Sequence, residues 1–390
     1  MSSRLIIRGG TVVLPDEART ADLLLADGRI AAIATDGARE WARPEDRVLE
    51  AEGAYVLPGL VDIHCDTIEK EAEPRPNTLF PLAMAFLQFE RKLAGHGITS
   101  MFHSLSLGVG LSLRGEHLVA DMVETIHRCS QERAMIRHGV HLRYEVSHLT
   151  GFGLAERLIE QGMIDYLSLM DHAPGQGQYK RPGAFERYVM KNQGVDAEEC
   201  ARIIEELQER RRRIDWSKLH ALTGKARRSG IAVASHDDDT VEQVNHSMAL
   251  GAGVSEFPLN LETASYATNQ GLQVCVGAPN IVRGGSHDHN LSALEAIRQG
   301  SAAIVCSDYH PASLLQAIFV LEREGVALAD AVRMATLAPA RALGRDGELG
   351  SLEPGKLADV LLVRKIGDCP VATHTIVNGT IVLATGDYTA

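Results

Sequence analysis

Six positions carry side chains that together suit a hydrolytic metal centre: His64, Asp66, Glu145, His172, His236 and Asp308. Imidazole and carboxylate supply the nitrogen and oxygen donors of such centres, which keep one position open for water. His64 and Asp66 close the stretch Val56-Leu-Pro-Gly-Leu-Val-Asp-Ile-His-Cys-Asp66. Positions two apart on a strand face the same side, so these two groups project together from an otherwise apolar strand end. His236 opens the run His236-Asp237-Asp238-Asp239. Glu145, in Arg143-Tyr-Glu-Val-Ser-His148, is placed to bridge two ions. Asp308, in Cys306-Ser-Asp-Tyr-His310, is placed to bind a metal and take the proton from its water. A lone His or Asp at a strand end more often caps a turn than binds an ion. Recurrence at several strand ends is what carries the reading. His103, His148, Asp238 and His310 read as supporting or substrate-contacting groups.

The elements that must position these residues alternate. Strand-like runs occur at 60–64, 98–103, 140–146, 166–172, 231–236, 254–258, 273–278 and 302–308, with helical stretches between them, including 116–137, 196–229 and 291–299. After the last run come 313–323 and 328–343. Strands separated by helices pair in parallel through right-handed crossovers, and eight of them predict a (β/α)8 barrel. The chemistry-bearing residues, Glu256 among them, fall at the C-terminal ends of the runs, the face on which barrel active sites sit. An open doubly wound sheet is the alternative, but no GxGxxG follows the first strand. Both chain ends are strand-rich, with turn signals at Asp27-Gly28 and Asn378-Gly379. They predict one small β-sandwich domain built from both termini. The expected division is 1–56 and 351–390 for that domain and 57–350 for the barrel.

Composition limits the partners. The chain has 390 residues and a formal charge of −12, which argues against a nonspecific binder of nucleic acid or anionic membrane. No apolar run reaches membrane-spanning length. The six cysteines are scattered with no CxxC pair, as expected of reduced thiols in a cytoplasmic protein. A homo-oligomer is compatible with this composition, which does not decide it.

The Pro-Gly-Leu-Val-Asp-Ile-His-x-Asp strand, the strand-end histidines, the late Ser307-Asp308 and the closing Leu352-Glu-Pro-Gly-Lys-Leu-Ala-Asp-Val-Leu-Leu-Val363 resemble the amidohydrolase superfamily. The resemblance spans nearly the whole chain and implies a barrel with one or two divalent metal ions. The commoner His-x-His is replaced here by His64-x-Asp66, and no clear bridging lysine is present, so Glu145 is expected to serve instead. Asp66 is a harder ligand than a second histidine, which favours Mn or Fe over Zn, while Ni also suits N/O ligands. Further strings resemble the phosphonate-metabolism (PhnM) branch: His64-Cys-Asp-Thr-Ile-Glu-Lys70, Leu169-Met-Asp-His-Ala-Pro-Gly-Gln-Gly-Gln-Tyr179 and Ala278-Pro-Asn-Ile-Val-Arg-Gly-Gly-Ser-His287. That resemblance implies a small phosphorylated ribosyl phosphonate as substrate, α-D-ribose 1-methylphosphonate 5-triphosphate, cleaved to the 5-phosphate and pyrophosphate.

Basic and glycine residues near the same face suit a polyphosphate. Arg283 with Gly284 and Gly285 is expected to offer a guanidinium and backbone N–H groups to phosphate oxygens. Lys180 and Arg181, and His310 beyond Asp308, complete the expected substrate contacts. Arg211-Arg-Arg213 reads as a solvated helix face. The rival is an amidohydrolase acting on a C–N bond as a deacetylase, cyclic amidase or deaminase. The same metal chemistry would serve it.

Overall fold

The computed structural model describes residues 4–108, 115–176, 183–193, 196–286 and 290–385. Eight parallel strands follow one another around a barrel: β1 (Leu60–Cys65), β2 (Ile98–Leu107), β3 (Arg137–Glu145), β4 (Tyr166–Met170), β5 (Ala232–His236), β6 (Val254–Glu256), β7 (Gln273–Gly277) and β8 (Ile304–Cys306). Each pairs with its sequence neighbour. A parallel bridge between Cys65 and Asp308 brings β8 back to β1. Helices cover the outside and bury a continuous apolar layer against the strands. Inside, Val61, Ile63, Phe102, Tyr166, Val254, Cys275 and Ile304 fill the barrel, and Ala340, in the helix Leu337–Ala342, and Leu343 just after it pack against them. The interior is thus a packed core, which forces any site to its mouth.

The second sheet draws on both ends of the chain. Strand Tyr55–Pro58 pairs in parallel with Leu5–Val13 on one side and antiparallel with Val360–Ile366 on the other. Leu5, Ile7, Leu23, Val56, Val360 and Ile376 form its own core. Asp27 and Asn378 adopt the left-handed conformation that their two-residue hairpin turns require. Arg137, at the start of β3, ties this sheet to the barrel through Asp359 and Asn378.

Local chemistry divides several expected elements. The stretch 196–229 forms two helices, Ala197–Arg212 and Trp216–Arg228, because Asp215 caps the second by accepting from the Ser217 and Lys218 N–H groups. Likewise 328–343 splits at Thr336. The Arg-Arg-Arg run is also not wholly solvated: Arg211 donates to Asp171 at 2.8 Å and to Gln176 at 3.1 Å, bracing the segment that follows β4.

Candidate metal centre and the cavity above it

The site is set by backbone geometry at the ends of three strands. Asp237, Phe257 and Asp308, immediately or almost immediately beyond β5, β6 and β8, have φ of 57°, 54° and 58°. Left-handed backbone is tolerable for Asp but costly for Phe, and such residues persist only where their surroundings hold them. Here the holding groups are visible. Asp308 N–H donates to the His64 carbonyl at 2.9 Å, and Asp66 N–H donates to the Asp308 carbonyl at 3.0 Å. Asp62, fully buried, accepts from the Ser307 N–H at 3.1 Å and clamps β1 to β8. Burial pushes its carboxyl up to about 6, against the hydrogen bonds from Ser307 and His64. Around β5 and β6, Asp238 accepts from three hydroxyls: Ser235, Ser255 at 2.6 Å and Ser247 at 3.2 Å.

Among the described residues, two tight groups could hold a cation: His172, His236 and Asp237 nearer the mouth, and His64, His141 and Glu256 deeper inside. In each, the ligand atoms lie within 4.8 Å of one another. His64 Nδ1 stands 3.0 Å from Glu256 Oε1, and His236 Nδ1 stands 3.4 Å from Glu256 Oε2, so the glutamate links the two groups. The His64 and His236 rings stack with centroids 5.3 Å apart. Burial holds His64, His141 and His236 well below the ordinary imidazole range, keeping them in the neutral form that a metal requires. Nearby Arg143 reinforces this for His64 and His236. Among the described residues, His64 Nδ1 and Glu256 Oε1, 3.0 Å apart but making no aligned hydrogen bond, and Asp66 Oδ1, of a residue that lines the cavity, are buried polar atoms without a hydrogen-bond partner. Orphaned imidazole and carboxylate atoms are what a divalent cation satisfies, so these residues fit the metal that the sequence leads one to expect.

The remaining expected residues sit around these groups. Glu145 stands behind His172, its carboxylate 3.2 Å from Nδ1 and accepting the His172 backbone N–H. Burial alone would depress His172, but its hydrogen bonds to Asp237 and Glu145 outweigh that and push it up to about 9. Asp66 and Asp308 line the wall of a cavity of about 230 Å³, together with His236, Asp237, Arg143 and Arg283. Burial raises the Asp308 carboxyl to about 7, helped by Asp66 and opposed by Arg143.

The phosphate cradle expected of Gly284 and Gly285 is not formed. Residues 278–283 make a short helix, and Gly284, at φ 78°, is its left-handed C-cap. The Gly284 and Gly285 N–H groups are spent on the Ile281 and Asn280 carbonyls at 3.2 and 2.9 Å, leaving neither for a ligand. Arg283 does reach the cavity, at its rim, where it donates to the Tyr309 hydroxyl at 3.4 Å. His310 is exposed and Tyr309 takes the cavity wall in its place. Lys180 and Arg181 lie outside the described residues. Four groups at the site were given no role as metal ligands or substrate contacts from sequence. Asp237 and Glu256 were visible as strand-end acids. His141 and Arg143 precede Glu145 by four and two positions, and that same-face spacing was the available signal.

This arrangement of a parallel barrel with His, Asp and Glu at its mouth is that of the amidohydrolase family. Residues 115–382 match the model of that family, and the chain belongs to it. The chain is 33% identical over 368 residues to the alpha-D-ribose 1-methylphosphonate 5-triphosphate diphosphatase of Escherichia coli (strain K12), covering 93% of this chain and 95% of that protein. It is 31% identical over 176 residues to a D-hydantoinase of Streptomyces coelicolor, covering 45% of this chain and 35% of that enzyme. Among solved structures, a D-hydantoinase superposes with a TM-score of 0.64 at 16% identity, over 98% of this chain and 95% of that one. A Xaa-Pro dipeptidase with bound methionine reaches 0.67 at 14%, over 97% and 99%. These last two likenesses show the fold.

Proposed function

We propose that this hydrolase cleaves α-D-ribose 1-methylphosphonate 5-triphosphate to the 5-phosphate and pyrophosphate, as a cytoplasmic enzyme of phosphonate breakdown. One observation carries the reading: identity at 33% runs along nearly the whole length of a diphosphatase, whereas likeness to the hydantoinase covers less than half the chain. His64, His172, His236, Asp237 and Glu256 would hold one or two divalent cations, with Asp66 and Asp308 beside them; N/O donors of this kind accept Zn, Mn, Fe or Ni. Such a cation supplies Lewis acidity to water and to a phosphoryl oxygen.

The chain's own groups do the rest. Asp308, half-buried on the cavity wall and pushed up to about 7, accepts a proton near neutral pH. Glu145 and Asp237 hold His172 from opposite sides. Arg143 and Arg283 put positive charge at two depths of one cavity. In the reaction, the water oxygen bonds to phosphorus and the anhydride P–O bond breaks. Pyrophosphate departs with the bridging oxygen and the water proton passes to Asp308.

The test is pyrophosphate release, followed by 31P NMR, from the ribosyl triphosphate with each candidate metal, set against carboxylate and ammonia release from a panel of cyclic and acyclic amides. Turnover of the amides with none of the triphosphate would overturn the proposal.

A further inference from the structure

We infer that Arg143 is an oxyanion-recognition residue, its guanidinium taking a phosphoryl group at the floor of the cavity; this rests on the phosphoanhydride reading above and deepens it. Arg143 follows His141 on the inward face of β3 and is 7% exposed. One terminal nitrogen donates to His236 Nε2 at 3.0 Å. The other lies 3.9 Å from Asp66 Oδ2, too far for a hydrogen bond. Its Nε is buried with no partner.

A guanidinium carries five N–H donors in a planar fork that matches two oxygens at once. Elsewhere this chain satisfies that fork with its own groups. Arg4 grips both oxygens of Asp46 at 2.8 and 3.2 Å. Arg211 donates to Asp171 and Gln176. Arg143 is more deeply buried than either and lies near Asp66 and Asp308, yet among the described residues it closes no fork with a carboxylate. Burying a cation with donors unmade is costly, and a ligand that completes the set recovers that cost. The ligand must present two or more oxygens and negative charge. A phosphoryl group does both; the single neutral carbonyl of an amide does neither.

Position supports the same class. Arg143 borders the cavity beside Asp66, His236 and Asp308, where the reacting group would lie. Arg283 stands at the rim. Two guanidiniums at two depths suit a chain of phosphates better than one isolated anion. The competing account makes Arg143 a counter-charge for the surrounding carboxylates, needing no ligand. It predicts a loss of charge alone, so that Arg143→Lys binds the anion with wild-type affinity once the fold and metal are intact.

The experiment uses the metal-loaded enzyme and methylenediphosphonate, whose P–C–P bridge resists hydrolysis. Its affinity is measured by titration calorimetry for the wild type, Arg143→Met, Arg143→Lys and Arg283→Met, with metal content determined on each sample. Arg143→Met is expected to weaken binding by about tenfold or more, as loss of a charged hydrogen bond does. Arg143→Lys should recover only part, having charge without the fork. Wild-type affinity in Arg143→Met with full metal content overturns the inference. Where Arg143→Met fails to fold or load metal, wild-type affinity in Arg143→Lys overturns it equally. The enzymatic reading fails separately. An enzyme that binds methylenediphosphonate through Arg143 but releases no pyrophosphate from the triphosphate keeps this inference and loses that one. Unchanged KM and kcat for the triphosphate in Arg143→Met does the reverse.

Discussion

Two clusters of histidine share strand β3 and face opposite ways. At the barrel mouth, His64, His141, His172 and His236 surround Glu256 and Asp237 beneath an open cavity. On the outer face, His103 of β2 contacts His138 of β3 at 2.9 Å, and His138 contacts Glu90 at 3.0 Å. Phe86 and Phe89, from helix Leu82–Gly95, cover that second cluster. Residue types and burial are alike. What differs is closure. In the outer cluster the carboxylate is saturated, because Glu90 Oε1 also accepts the Met135 and Ile136 N–H groups at 2.5 and 3.3 Å, and what is left without a partner there is one imidazole nitrogen, His103 Nδ1, beneath Phe86 and Phe89. At the mouth, His64, Glu256, Asp66 and Arg143 all keep atoms without partners. A satisfied polar network fastens an element, while an unsatisfied one under a cavity awaits a ligand.

The contrast breaks most sharply at Asp308. Replacing it with Asn keeps its size and the backbone bridge to His64 but removes the proton acceptor. Turnover should fall by about 10²–10⁴-fold, the usual weight of a general base, with the unfolding midpoint nearly unchanged. Full activity in a metal-loaded Asn variant would send the role elsewhere.

Glu90 should show the opposite signature. Glu90→Ala strands His138 and two backbone N–H groups, at a cost of about 3 kcal/mol, with activity per folded molecule unchanged. Its pH dependence has a definite sign. Burial would raise Glu90, but His138 and the two N–H groups together hold it below its ordinary 4.5. The stability it contributes is therefore complete above about 4.5 and is lost as pH falls through the lower folded-state value. Urea unfolding of wild type and Glu90→Gln across acid pH checks this: the two curves should converge as pH drops. Parallel curves would mean the carboxylate stabilises nothing.

Between these extremes stands Asp238, which touches no expected ligand and grips three serines around the left-handed Asp237. Asp238→Ala should lower metal affinity or turnover by about 10–100-fold, the range for groups that hold ligands in place. Metal titration of the variant measures it, and rescue by Asp238→Asn would separate loss of hydrogen bonds from loss of charge.

The same contrast explains what could be read from sequence. Eight strands with chemistry at their C-terminal ends were legible because strand period and strand order are both written in the chain. His103 shows where this stopped. As the end of a run at 98–103 it resembled its neighbours, but β2 continues to Leu107, and the pleat turns His103 outward to the helix. His141 and Arg143 were missed for a related reason. They lie inside β3 rather than at its tip, and only register shows that 141, 143 and 145 share the inward face. Gly284-Gly285 misled in another way. Glycine pairs suit both anion loops and helix C-caps, and what decides is whether the amides are already bonded.

The smallest effect is expected at the rim, and it sharpens the difference between a buried cation and an exposed one. Arg283 is solvent-exposed and, among the described residues, meets the Tyr309 hydroxyl at 3.4 Å. Water and salt screen such a charge, so its pairing with a phosphate is worth about 1 kcal/mol or less. Arg283→Gln should raise KM for the triphosphate by about fivefold at low ionic strength, leave kcat unchanged, and lose most of that difference near 1 M salt. Arg143, buried at the cavity wall, should keep its effect at the same salt concentration. Equal salt sensitivity at the two arginines would mean that water reaches both, and that depth in this cavity confers no electrostatic advantage.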